Sequence, residues 1–256
     1  MHVSDDACVS ENQDSGTNTR GPWRNCTTVA TESIHEHGGG IGMNAIYLPT
    51  DGTAYRIGKR LLDLGLSITL LPVVLILIVI VAMVVKATSP GPVFYRHKRV
   101  GRGVKTFDLW KFRTMFHESD HIFWNHLARN ADARQEWLRY RKLKHDPRIT
   151  KVGAFLRRTN LDELPQLLNV LLGQMSLVGP RPIVEEELKR YGAGETLYAA
   201  VLPGVTGLWQ VSGRGCLPYE KRVALDVEYV STWSFTADLV VLTRTFNAIW
   251  TCRGAF

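Results

Sequence analysis

The chain has 256 residues, 45% of them hydrophobic, and its 31 basic and 24 acidic residues leave a formal charge of +7. That is enough apolar sequence for one sizeable domain or two small ones, and a basic balance suits an anionic partner: nucleic acid, an anionic membrane face or a phosphorylated substrate. Cys8, Cys26, Cys216 and Cys252 are scattered and form no C-x-x-C pair, which argues against a zinc site or a disulfide scaffold and fits a reducing compartment.

Residues 1–55 are rich in Gly, Ser, Thr, Asn and Asp and lack apolar periodicity. Such a segment buries too little surface to offset its ordering entropy, so a disordered polar tail is predicted. The first thirty residues hold no apolar stretch of the signal-peptide kind, and no cleaved secretory signal is expected. His35 and His37 lie in this tail and read as solvated.

Residues 56–88 form the predicted membrane segment. No residue from Leu64 to Val85 is charged. At about 1.5 Å per residue, a helix of that length roughly matches the ~30 Å hydrocarbon core of a bilayer. Two features disturb a simple span. Pro72 removes a backbone hydrogen bond and clashes with the preceding turn, at a cost of about 3 kcal/mol in a helix interior. Both flanks are also basic: Arg56, Lys59 and Arg60 before the run, and Lys86, Arg96, Lys98, Arg99 and Arg102 after it. Positive residues favour the cytoplasmic side. A helix bent at Pro72 and dipping into one leaflet keeps both clusters there, with Ser67 and Thr69 placed to satisfy carbonyls near the bend. A full span stays open as the alternative on the residues alone.

Ser89-Pro90-Gly91-Pro92 ends this segment. Val93-Phe94-Tyr95 and Thr106–Trp110 flank Gly101-Arg102-Gly103 and predict a short β-hairpin. In Lys111-Phe112-Arg113-Thr114-Met115 two cations share one face of a strand; they could bind a phosphate or lie in solvent. Residues 116–143 are polar and helix-favouring, with Trp124, Leu127, Trp137, Leu138 and Leu143 as the expected buried side chains. His117, His121, His126 and His145 form no convincing metal spacing.

Asp146-Pro147-Arg148 opens the next unit, and Val152–Arg158 reads as a short helix. The stretch that follows, Arg158-Thr159-Asn160-Leu161-Asp162-Glu163-Leu164-Pro165-Gln166, sets two adjacent carboxylates among arginines. Leu161, Leu164, Leu168 and Leu171-Leu172 recur at helical spacing. Asn160 or Asp162 can cap that helix, and Pro165 is acceptable near its first turn. A carboxylate pair among arginines suits phosphate chemistry with a divalent metal; it also suits simple capping. Gly173 ends the helix. Ser176–Val178 is extended, Gly179-Pro180-Arg181-Pro182 is a rigid turn that aims Arg181, and Ile183–Tyr191 is an acidic helix. Residues 203–214 form a glycine-rich loop holding Trp209 and Arg214. Tyr219–Tyr229 is a helix carrying Asp226. Residues 238–250 are amphipathic, with Leu239, Leu242, Phe246 and Ile249-Trp250 on one face, which suits either the core or a membrane interface.

Six motifs occur in order: Lys59-Arg60-Leu61-Leu62-Asp63, Pro90-Gly91-Pro92, Lys111–Met115, Leu161-Asp162-Glu163-Leu164-Pro165-Gln166, Ser176–Pro182 and Pro203-Gly204-Val205-Thr206-Gly207. Through them the chain, from about Arg56 onward, resembles the bacterial sugar transferases, the monotopic phosphoglycosyl transferases that act on polyprenol phosphate. Glu185-Glu186-Glu187-Leu188 and the Arg-Gly-Ala-Phe ending bring it nearer the galactose phosphotransferases of exopolysaccharide synthesis. The resemblance implies an α+β, mostly helical fold: a re-entrant membrane helix hairpin over 56–88, and a cytoplasmic catalytic domain over 89–256 with interfacial amphipathic helices. It implies transfer of a sugar 1-phosphate, galactose or glucose, from a UDP-sugar to undecaprenyl phosphate with release of UMP, at the cytoplasmic face of the bacterial inner membrane. Asp162 is then the nucleophile and Glu163 the Mg2+ ligand. Arg157 and Arg181 hold phosphate oxygens, Lys111 and Asp226 complete the site, and Pro72 matches the family's helix break, although Leu71 stands where the family has serine. A homodimer is compatible with the resemblance. A non-catalytic scaffold in polysaccharide assembly is the rival reading, and no motif that reads nucleic acid is present.

Overall fold

A computed structural model describes residues 52–117, 119–140, 143–213 and 217–250, which belong to one unit, Leu48–Phe256. Residues 1–51 of the predicted polar tail, with His35 and His37, lie outside the described residues, as do the four cysteines, Arg214 and the Arg-Gly-Ala-Phe ending; the last residues assigned to that tail, Thr53–Tyr55, instead belong to the first turn of a helix. The described chain is α+β and mostly helical, with one long apolar helix and one antiparallel hairpin.

Helix α1, Thr53–Thr88, stays helical through Pro72. It is the one described helix long and apolar enough to cross a membrane. Its two ends pack against the rest of the protein and its middle does not. Near the start, Lys59 Nζ donates to Asp238 Oδ2 at 2.6 Å, and Asp63 Oδ1 accepts from Ser176 Oγ at 3.0 Å and from the Leu177 amide at 2.9 Å. Near the end, Val81 and Val85 join a core with Phe112 and Leu156. Between them Ile68, Leu70, Val73, Leu75, Ile76, Val79 and Ile80 are exposed. Thr69 donates to the Gly65 carbonyl at 2.8 Å, one turn before the place expected, and Ser67 Oγ is buried with no partner among the described residues.

Strands β1, Phe94–Val100, and β2, Thr106–Phe112, form the antiparallel hairpin, with Tyr95 opposite Lys111 and Arg99 opposite Phe107. Helices α2, Asp120–Arg129, and α3, Ala131–Tyr140, share a small core of Phe123, Leu127, Ala133 and Leu143. Trp137 packs beside it. Trp124 and Leu138, expected inside, are each 64% exposed, because Phe123 and Ala133 take the inward positions. Helix α4, Lys151–Thr159, precedes α5, Gln166–Leu171.

Strand β3, Ser176–Val178, pairs in parallel with β4, Gly204–Thr206. The glycine-rich loop expected over 203–214 is thus a strand running into α8, Leu208–Val211. Between the strands lie α6, Glu185–Leu188, a 3-10 segment over 189–194, and α7, Glu195–Ala200. Helices α9, Tyr219–Ser231, and α10, Phe235–Trp250, close the main core, in which Val178, Val201, Leu208, Tyr229, Val230 and Val241 meet. On α10 the inward face is Ala237, Asp238 and Val241, whereas Leu239 and Phe246 point outward. The buried carboxylate of Asp238 explains the difference: it is held by Lys59, Tyr229 and Trp233, so the core side of α10 is partly polar.

Candidate active site

The two carboxylates do not open a regular helix. Asn160 adopts a left-handed conformation, φ 56°, and ends α4. Leu161–Glu163 then forms one 3-10 turn, and α5 starts only after Pro165. Asn160 makes no side-chain cap there. The predicted single helix is broken because left-handed Asn160 and Pro165 bracket the turn. The break leaves Asp162 and Glu163 on a tight loop between two anchored helices.

Both helices are fixed on the β2 strand and its extension. Thr150 caps α4, accepting the Gly153 amide at 2.8 Å, and a Cβ at Gly153 would collide with the Thr114 carbonyl. This close approach lets Arg157 Nε donate to Thr114 Oγ1 at 2.9 Å. On the other side Asn169 of α5 bonds β2 twice: its Oδ1 accepts the Trp110 amide at 3.1 Å, and its Nδ2 donates to the Asp108 carbonyl at 2.8 Å. Lys111, next along β2, therefore reaches Glu163, with Nζ 2.6 Å from Oε1. Arg113 does neither thing expected of it. It is buried and donates to the Ser89 and Pro90 carbonyls, pinning the turn after α1.

Arg181 arrives from the opposite wall. Gly179 and Gly204 lie back to back, and a Cβ on Gly204 would strike the Gly179 amide. The Gly204 amide donates to the Pro180 carbonyl at 2.8 Å, which fixes the turn. The Arg181 guanidinium sits 5.6 Å from the Trp209 ring centre, and Arg222 sits over the same ring at 5.1 Å. Behind it, Asp226 is buried and accepts from Tyr191 OH at 2.8 Å.

A narrow slot of about 10 Å3 is lined by Lys111, Glu163, Gln166, Arg181, Gln210 and a residue not singled out in the sequence, Arg99. Arg99 donates to the Pro182 carbonyl at 3.3 Å and lies 3.9 Å from Glu187, while its buried Nε has no partner among the described residues. A signal for it existed. Side chains alternate along a strand and match across an antiparallel pair. Tyr95 faces Lys111, so Arg99, four residues on, shares its face of the hairpin. Asp162 adjoins the slot as the chain neighbour of Glu163, and Arg157, held by Thr114, acts electrostatically on Asp162; neither lines the slot. Asp226 stands behind Arg181, and Pro72 lies apart in the exposed middle of α1.

The electrostatics of the cluster are polarised. Burial pushes the Asp162 carboxyl up to about 6, helped by the adjacent Glu163 charge and opposed by Lys111 and Arg157. Burial also raises Asp226, to about 7, against the pull of Tyr191 and Arg181. Burial and the neighbouring Arg181 charge lower Arg99, and burial and Arg181 likewise lower Arg222. Cations held near one another and partly desolvated form a receptor for a multiply charged anion. Among the described residues no three His, Cys, Asp or Glu side chains cluster. The hard oxygens of Glu163 and Asp162 fit a cation such as Mg2+, which commonly takes one or two carboxylates and completes its shell with waters and substrate phosphates.

Comparison with known proteins gives a consistent picture. A family model described as "Bacterial sugar transferase" matches residues 54–252. The chain is 43% identical over 216 residues to the exopolysaccharide production protein ExoY of Sinorhizobium fredii, covering 83% of this chain and 96% of that protein. It is 46% identical over 201 residues to the undecaprenyl-phosphate galactose phosphotransferase of Salmonella typhimurium, covering 78% of this chain but 42% of that longer protein. It is 40% identical over 196 residues to the UDP-glucose:undecaprenyl-phosphate glucose-1-phosphate transferase of Escherichia coli, covering 73% of this chain and 39% of that protein.

Proposed function

The chain belongs to the bacterial sugar transferase family, and from that premise we propose that it moves a sugar 1-phosphate from a UDP-sugar to undecaprenyl phosphate. The observation that carries this reading is the pairing of a buried carboxylate, Asp162, with a slot whose walls are Lys111, Arg99 and Arg181. Three cations against the single Glu163 carboxylate leave an excess of positive charge, which suits the diphosphate of a nucleotide sugar.

Donor and acceptor are both anions, and two displacements avoid bringing them together. An Asp162 oxygen attacks the sugar-proximal phosphorus, and the bond from that phosphorus to the bridging oxygen breaks. UMP leaves with the electron pair, and the sugar phosphate stays on Asp162 as an acyl phosphate. A phosphate oxygen of undecaprenyl phosphate then attacks the same phosphorus and frees the carboxylate. Asp162 must be ionised to attack, and a carboxyl raised to about 6 is ionised at neutral pH yet more basic than an ordinary aspartate. Lys111 orients Glu163, while Arg181 and Arg99 hold donor oxygens. Arg157, fixed by Thr114, balances the charge of Asp162. A magnesium ion at Glu163 would supply charge neutralisation on the diphosphate. The buried pair of Asp226 and Tyr191 backs Arg181 rather than touching the sugar.

The membrane arrangement follows the same reading. Both ends of α1 contact the same unit and its apolar middle is exposed, which supports a helix that enters and leaves one leaflet at Pro72. The active site then lies at the cytoplasmic face of the inner membrane, where a soluble nucleotide sugar and a lipid phosphate meet. Galactose is favoured by the relative named for it and glucose is the competitor. Incubating membranes with UDP-galactose and UDP-glucose separately, then measuring UMP and the lipid product, tests the reading. Turnover with galactose is expected; UMP release with neither sugar would refute it.

A further inference from the structure

A cavity roomier than the catalytic slot lies away from the carboxylates. It has a volume of about 290 Å3 and shares no lining residue with the catalytic slot. Its wall includes Tyr55, Arg56, Lys59, Arg60 and Asp63 from the first turns of α1, and Arg102 from the turn between β1 and β2. On α1 these charged residues fall at i, i+3, i+4 and i+7, one face of a helix.

Two of the four cations are already engaged. Lys59 is paired with Asp238, and Arg60 donates to the Val170 and Leu171 carbonyls at 2.6 and 2.8 Å, capping α5. Among the described residues the side chains of Arg56 and Arg102 make no hydrogen bond or ion pair, and both are exposed. Asp63 is 1% exposed; its Oδ1 takes two hydrogen bonds, and its Oδ2 takes none among the described residues. A buried carboxylate oxygen without a donor is costly. The cavity therefore presents unpaired guanidinium groups for an anion, together with a carboxylate that still accepts a donor.

Its position narrows the ligand. Asp63 immediately precedes the uncharged run that starts at Leu64, and the exposed Ile57 and Leu61 lead along α1 toward that run. This is the level at which lipid phosphates meet basic side chains. We propose that the cavity is a phospholipid headgroup site, separate from the catalytic slot, for a phosphodiester that bears a hydroxyl or ammonium group. The phosphate lies between Arg56 and Arg102, the donor group approaches Asp63, and the start of α1 is thereby seated at the membrane surface. The proposal rests on the reading of α1 as membrane-embedded. The acceptor lipid of the reaction fits less well, because a phosphomonoester dianion brings more negative charge beside Asp63 and no ammonium or hydroxyl group of a headgroup to satisfy it.

The test uses the full chain, purified in detergent, stripped of lipid and titrated by native mass spectrometry. The probes are phosphatidylglycerol, phosphatidylethanolamine, phosphatidylcholine, polyprenyl phosphate and inorganic phosphate. Phosphatidylglycerol and phosphatidylethanolamine are expected to bind more tightly than phosphatidylcholine, which has the phosphate but no donor. In the double variant Arg56→Gln/Arg102→Gln, phosphatidylglycerol binding should weaken about tenfold, as expected for losing charge-assisted hydrogen bonds at a partly exposed site. The pair Arg56→Lys/Arg102→Lys should retain part of it, which separates headgroup binding from misfolding. Unchanged phosphatidylglycerol binding in the glutamine pair would overturn the proposal. So would displacement of the lipid by millimolar inorganic phosphate, or equal loss of polyprenyl phosphate binding, since these assign the cavity to a soluble anion or to the acceptor. UMP release by the same preparations reports on the catalytic slot alone, so failure of the transferase reading would be seen separately from failure of the lipid site.

Discussion

Replacing Asp162 with asparagine should abolish transfer and at the same time stabilise the protein. The carboxyl is 8% exposed, lies beside Glu163, and is raised from 3.8 to about 6. A folded value above the unfolded one means that the folded state binds the proton more tightly. The stability associated with the neutral form is complete below the unfolded value and is lost as pH rises through the folded value. About two units correspond to about 3 kcal/mol at neutral pH, as an upper bound on what a neutral isostere recovers. For a chain of this size that is a rise in Tm of roughly 5–10 °C. At pH 4.5, where the folded carboxyl is already protonated, the gain should shrink to about 1 kcal/mol. Thermal unfolding of wild type and Asp162→Asn in the same detergent at pH 7.5 and 4.5 measures both values. A helix-capping carboxylate predicts the opposite at pH 7.5, an asparagine variant of equal or lower Tm, and that result would refute the reasoning.

Three further outcomes follow from the same geometry. The kcat/KM for the donor should fall tenfold per unit of pH below about pH 6, as Asp162 takes up its proton; a flat profile from pH 5 to 8 would remove it as the group that must be ionised. Arg99→Ala should raise the KM for the UDP-sugar about tenfold with little change in its magnesium dependence, and an unchanged KM in donor titrations would take Arg99 out of the slot. Cysteines placed at Ile57 and Thr88, both exposed and near the two ends of α1, should react with an impermeant reagent from the cytoplasmic side only; labelling from opposite sides would sink the re-entrant helix.

Local chemistry made much of this legible in the sequence. The hairpin was marked by Gly101-Arg102-Gly103 between alternating strands, and the apolar helix by its uncharged length. The adjacent carboxylates and Arg181 stood out as charges beside rigid turns. What stayed hidden depended on contacts between distant segments. Leucine spacing over 161–172 reads as one helix, yet left-handed Asn160 and Pro165 make a separate turn of Leu161–Glu163. Arg113 looks like a surface or phosphate cation, but the carbonyls of Ser89 and Pro90 bury it. On α10 the apolar stripe could not decide between core and membrane interface: Leu242 packs on the core while Leu239 and Phe246 are exposed, and the inward place of Asp238 depends on Lys59, 179 residues away in the chain. Asp226 was visible as an acidic group on a helix, but not as the buried support behind Arg181. No pattern within one segment reports such pairings.

The decisive property of this protein is whether Asp162 carries the sugar phosphate. Purified protein can be incubated with UDP-sugar and magnesium in the absence of acceptor, quenched, digested and examined by mass spectrometry. The expected result is a mass gain of one sugar phosphate on the peptide containing Asp162, one UMP released per adduct, discharge on adding undecaprenyl phosphate, and no adduct in Asp162→Asn. An adduct that persists in that variant, or UMP that appears only when acceptor is present and with no adduct formed, would contradict it.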